Sequence, residues 1–145
     1  MAGVSTYLNF MGKTEEAFNF YKSVFRTEFS GPINYMRDVP PDPNSPPLPE
    51  NEKGLVMHVA LPTLGGHQLM GTDALESMSH ELTFGNNISI NLEPDNREEA
   101  DRLFAALSDG GEVTMAMEDM FWGDYFGTVT DKYGVQWMVN FSKPQ

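Results

Sequence analysis

The chain has 145 residues, enough for one compact unit or for two small modules sharing a core. It has no cysteine, which excludes disulfides, thiolate metal sites and a cysteine nucleophile, and no apolar run approaches the ~20 residues of a membrane span. The net charge is −12, with 9 Lys+Arg set singly among 21 Asp+Glu, which argues against nucleic acid and anionic membranes as partners.

The opening MAGVSTYLNF lacks the basic-then-apolar order of a signal peptide, so a cytoplasmic protein is expected. Val4 to Met11 alternates and predicts a strand, with Thr6, Leu8 and Phe10 on one face. Thr14 suits an N-cap, followed by Glu15 and Glu16 where acidic groups favour the helix dipole. Ala17, Phe18, Tyr21, Val24 and Phe25 then form one apolar helical stripe that ends near Arg26. Glu28 to Arg37 predicts a strand with an irregularity at Gly31-Pro32, and residues 38–53, with six prolines, predict a long loop.

Gly54 to Pro62 and His67 to Asp73 predict two strands around a turn at Leu64-Gly65-Gly66, and Ala74 to Gly85 a connector. Asn86 to Leu92 alternates as another strand. Asn96 and Glu99 resemble a capping box for a second helix carrying Ala100, Leu103, Phe104 and Leu107, stopped by Gly110-Gly111. Glu112 to Met117 predicts a strand, and Met120 to Phe141 a pair joined by a turn at Asp131-Lys132-Tyr133-Gly134.

The order is β-α-β-β-β twice over, and the halves repeat in detail. Gly66-His67-Gln68-Leu69-Met70 matches Gly134-Val135-Gln136-Trp137-Met138 as G-x-Q-(L/W)-M. Glu15-Glu16-Ala17 matches Glu98-Glu99-Ala100, and at the same offset Thr6 falls on Ser89. The expected class is α+β: one domain over 1–145, with modules at about 1–74 and 86–145 and a connector at about 75–85. Curved mixed sheets would carry the helices outside.

Tyr7-Leu8-Asn9-Phe10, Glu15-Glu16-Ala17 with Phe20-Tyr21, Met57-His58, Leu69-Met70, Asp73 and Phe121-Trp122-Gly123 through Trp137-Met138 span nearly the whole chain. In order and spacing they resemble the PhnB-like, "3-demethylubiquinone 3-methyltransferase-like" branch of the vicinal oxygen chelate superfamily. That superfamily includes glyoxalases, dioxygenases and bleomycin-resistance proteins. The resemblance implies a cavity between the modules and a homodimer. It also implies that the four metal-ligand positions of metal-using members fall on Thr6, Met70, Ser89 (Asn87 after a two-residue slip) and Met138. None of these suits a hard or borderline divalent cation, which wants imidazole or carboxylate, so no metal or other cofactor is expected. The methyltransferase label finds no glycine-rich cofactor loop, because Gly65-Gly66 and Gly110-Gly111 read as a turn and a helix stop.

By parity the inner face carries Thr6, Leu8, Phe10, Gln68, Met70, Asn87, Ser89, Asn91, Gln136, Met138 and Asn140. Such a surface reads either as a small-molecule pocket with a few placed polar groups or as a filled interior whose amides are satisfied by neighbours. Trp122, with Tyr125 and Phe126, reads as a ligand wall or as core and dimer interface. His58 on a strand face and Asp73 at a strand end are the candidate acid–base groups; His67 and His80 read as solvated. Glu118, Asp119 and Asp124 form an acidic rim. Three functions stay open: small-molecule binding without a metal, a lyase or isomerase using His58 or Asp73, and a dimeric interaction module without ligand.

Overall fold

The structure, a computed structural model, describes residues 2–143. The chain divides into two compact units, residues 1–83 and 84–145. The first unit runs β1 (Thr6–Phe10), α1 (Thr14–Phe25), β2 (Asn34–Tyr35), β3 (Val56–Pro62) and β4 (Gln68–Asp73). Its sheet has the order β1-β4-β3-β2, with β1 parallel to β4 and the other pairs antiparallel. The apolar stripe of α1 buries Ala17, Phe18, Tyr21, Val24 and Phe25, and α1 packs on β3 and β4, whose Val59, Leu61 and Leu69 are buried. Gly71 makes that contact close: a Cβ there would lie 2.4 Å from Phe18 Cε1 and 3.1 Å from Thr14 Cγ2.

The second unit repeats the order as β5 (Ile90–Leu92), α2 (Arg97–Ser108), β6 (Glu112–Asp119), β7 (Asp124–Thr130) and β8 (Gln136–Ser142). Its sheet order is β5-β8-β7-β6, again with one parallel pair, β5 with β8. Leu103 and Leu107 of α2, Val129 of β7 and Trp137 and Val139 of β8 are buried in the core. Neither sheet closes into a barrel. The G-x-Q-x-M repeat survives in the turns before β4 and β8: Thr63 N donates to His67 O and Asp131 N to Val135 O, each at 2.8 Å. Gly66 and Gly134 take φ of 80° and 90°, a region closed to most side chains, which is why both turns keep glycine.

Several expectations change. The second strand, expected over Glu28 to Arg37, contracts to Asn34–Tyr35, followed by a 3-10 turn at Met36–Asp38. The strand expected from Asn86 begins only at Ile90. Thr14 does not cap α1 with its own side chain; the buried Asp73 of β4 accepts from Gly12 N, Thr14 N and Thr14 Oγ1 instead. Asn96 does cap α2, accepting from Glu99 N at 2.8 Å, but the Glu99 carboxylate binds Arg102, so only half of a capping box forms. The proline-rich segment ends in a 3-10 turn at Glu50–Glu52, where the buried Glu52 carboxylate accepts from Ser77 N and Ser77 Oγ. No helix among the described residues is long and apolar enough to cross a membrane.

Candidate functional site

Each sheet has one face under its helix and one face open, and strand parity decides which side chains reach the open face. In the first sheet Tyr7 lies beside Met70 and Asn9 beside Thr72, while Ala60 faces Met70 from β3. His58, two residues before Ala60, shares that side and stands opposite Asn34. Thr6, Leu8 and Phe10 pair instead with Leu69, Gly71 and Asp73, on the side that α1 covers. The expected inner-face positions of β1 are therefore displaced by one residue, and a one-residue displacement exchanges faces. Thr6 bonds His67 Nε2 through its hydroxyl at 2.8 Å, so His67, expected in solvent, is half-buried and engaged. His80, also expected in solvent, is exposed but accepts from Leu75 N through Nδ1 at 2.9 Å.

Tyr7 is the residue that sequence parity missed. Its phenol reaches across β4 to His58, with Oη 3.1 Å from Nδ1 and the two ring centroids 5.9 Å apart. Desolvation raises the Tyr7 hydroxyl above its ordinary 10.0, so it stays protonated at neutral pH. The side chain is still 47 % exposed, and His58 Nε2 has no partner among the described residues. Met70 stands beside Tyr7 and accepts a weak bond from Ser5 Oγ at 3.9 Å. Gln68 lies at the end of the same face, where its Oε1 accepts from Ser30 Oγ at 2.9 Å. A phenol, an imidazole and a thioether thus meet on one accessible surface.

Asp73, the other acid–base candidate, is only 4 % exposed. Oδ1 accepts from Gly12 N, Thr14 N and Thr14 Oγ1, and Oδ2 from Val56 N at 2.8 Å. With four donors it anchors the start of α1 and the start of β3 to the end of β4. Asp131 does similar work in the second unit, accepting from Tyr133 N, Val135 N and the indole Nε1 of Trp137.

The open face of the second sheet gathers Asn91 beside Met138, Thr128 on the other side of Met138, and Asn140 beside Phe126. Gln136 turns its amide to the backbone, donating to Gly85 O and Ile88 O. Ser89 is exposed just before β5, and Asn87 is exposed in the preceding bend. The aromatic group separates: Tyr125 is buried, with Arg97 Cζ 3.8 Å above its ring and its hydroxyl donating to Asp101. Trp122 stays 55 % exposed in the β6–β7 turn, donating to Asp124 Oδ2 at 3.1 Å. The acidic rim is partly neutralised, because Asp119 accepts from Arg97 at 2.8 and 3.1 Å and pairs with Lys143 at 2.8 Å.

The open faces do not suit a divalent metal. With the corrected parity the equivalent open-face positions are Tyr7, Met70, Asn91 and Met138. In the first unit a protonated phenol and a thioether, and in the second an amide and a thioether, offer no charged ligand, and hard cations need oxygen or nitrogen donors of higher basicity.

A family model described as 3-demethylubiquinone-9 3-methyltransferase matches residues 2–140. The chain belongs to this PhnB-like family. Protein YjdN of Escherichia coli (strain K12) is 30 % identical over 146 residues, covering 98 % of this chain and 97 % of its own. Protein PA1353 from Pseudomonas aeruginosa superposes with a TM-score of 0.83 at 32 % identity, over 99 % of this chain and 100 % of that one. The PhnB protein from Bacillus cereus gives 0.74 at 32 % identity, over 97 % and 100 %. A glyoxalase/bleomycin resistance/dioxygenase family enzyme from Burkholderia phytofirmans PsJN shares the fold at 19 % identity, with a TM-score of 0.62 over 95 % and 98 %. The PhnB-like chain therefore has the α+β, glyoxalase-like architecture of paired βαβββ units.

Proposed function

We propose that this PhnB-like protein binds a small uncharged molecule on the open face of its first sheet, around Tyr7, His58 and Met70, without a metal. The hydrogen bond between Tyr7 and His58 carries the reading: a phenol and an imidazole held together beside a thioether, with Tyr7 half exposed. Binding sites pair apolar walls with a few placed polar groups, and methionine packs adaptably against rings. Of the two acid–base candidates, His58 keeps a nitrogen for a ligand, whereas Asp73 is used in anchoring.

A thermal-shift screen of small molecules tests this, since a ligand at 100-fold its Kd adds ~2.7 kcal/mol to stability. Shifts that disappear in Met70→Glu support the reading. No shift in the wild-type protein, or shifts indifferent to that substitution, would sink it.

A second reading concerns assembly, and we propose a homodimer. Seven of the eight residues of β6 are exposed, and Phe121 and Trp122 beyond it are 97 % and 55 % exposed. Val113 and Met115 of this edge strand are each 46 % exposed as well, and exposed apolar side chains along a sheet edge mark an interaction surface. Antiparallel pairing of β6 with its own copy would set Glu112 against Asp119, so packing through the Phe121-Trp122 turn is the favoured contact. Sedimentation velocity should show a dimer that Phe121→Ser shifts towards monomer; a monomeric wild type refutes it.

A further inference from the structure

The last two turns of α1 border a hollow of about 410 Å³, lined by Asn19, Lys22, Ser23, Arg26, Thr27 and Glu28. Positions 19, 22, 23 and 26 share one helical face, opposite the stripe that α1 buries. None of these residues belongs to the open face around Tyr7, His58 and Met70.

Arg26 stands apart in two ways. Its backbone is left-handed, with φ 56° and ψ 44°, at a helix end where glycine is preferred because a Cβ is crowded there. Its guanidinium also has no carboxylate, ring or hydrogen-bond partner among the described residues. Every other Lys and Arg described pairs with a carboxylate or lies over an aromatic ring. With 21 Asp+Glu in the chain, a cation left unpaired beside a hollow is available to a bound anion.

The rest of the lining decides which anion. Lys22 shares its charge with Glu28 at 3.2 Å, and the end of a helix adds roughly half a negative charge. The hollow is therefore near electrical balance and suits one negative charge better than two. The Ser23 hydroxyl donates to Phe20 O at 2.6 Å, and that of Thr27 to Pro62 O at 2.7 Å. With their hydrogens committed, both oxygens keep only lone pairs for a ligand. We infer that the hollow binds a small hydroxy-monocarboxylate, with Arg26 and Lys22 on the carboxylate and with Ser23, Thr27 and Glu28 accepting from the hydroxyls.

Isothermal titration of the full chain at low salt with gluconate, acetate and sorbitol tests this. Gluconate carries both features, acetate only the charge, and sorbitol only the hydroxyls. Gluconate should bind about tenfold tighter than either, and added salt should weaken it. Arg26→Gly should weaken gluconate about tenfold while Tm holds or rises, because glycine suits the left-handed backbone. Glu28→Gln is the second variant; it releases Lys22 and should tighten gluconate. Met70→Glu should leave gluconate unaffected, which separates this site from the open face. No binding of gluconate, equal affinity for acetate, or gluconate binding that survives Arg26→Gly or weakens in Glu28→Gln would overturn the inference.

Discussion

Asp73 takes four hydrogen bonds while almost wholly buried. Burying a carboxylate costs several kcal/mol of lost hydration, and charge-assisted bonds from three amides and a hydroxyl offset that cost. Alanine at this position would leave those donors unsatisfied in a dry site. The expected loss is about 3 kcal/mol, or a fall in Tm of roughly 10 °C by thermal unfolding. A fall of only one or two degrees would mean that water replaces the carboxylate. The sequence shows an acidic residue at a strand end, which reads equally well as a catalyst. Its partners lie 17 to 61 residues away, beyond what spacing can reveal. Tyr7 escaped for a similar reason: its role depends on His58, 51 residues on, and on a strand lying between them.

The elements themselves were largely visible, because hydrophobic period and turn chemistry act locally. Both helices and the turns at Gly66 and Gly134 fall where the pattern places them. The inner-face assignment of β1 failed on a single residue. The helices begin at Thr14 and Arg97, 83 apart, but the parallel strand pairs make Thr6 equivalent to Ile90, 84 apart. The link from strand to helix is one residue shorter in the second unit, so an alignment anchored on the helices moves every β1 side chain to the opposite face. The close approach of α1 to its sheet gives an element-scale prediction. Gly71→Ala would press a methyl into the Phe18 ring, and overpacking of this kind costs about 1–3 kcal/mol, readable as a lower denaturant midpoint. The cluster joining α2, β6 and the end of the chain gives another. Arg97 and then Lys143 hold the Asp119 carboxyl well below its ordinary 3.8, so on acidification the unfolded chain takes up that proton first. The cluster's contribution is present above that pH and fades as the pH falls below it. Asp119→Asn should therefore lower Tm at neutral pH, and the gap to wild type should narrow in acid.

For the whole molecule, the twofold repeat carried most of the information, since one G-x-Q-x-M match fixes two turns and two strands together. What the repeat could not carry is the departure from symmetry: only the first unit puts a phenol and an imidazole on its open face. Charge acts at this scale too. A chain at −12 repels itself when compact, so added monovalent salt should raise Tm, and a Tm that falls with salt would point to local ion pairs outweighing the global field. Asp73 has one further consequence, in the time domain. The amides of Gly12, Thr14 and Val56 are closed by one side chain instead of a helix or sheet ladder. Their protons can meet solvent only when that carboxylate lets go. In native-state hydrogen exchange the three should open as one cooperative unit across a loop, a helix start and a strand start, sharing a single protection factor.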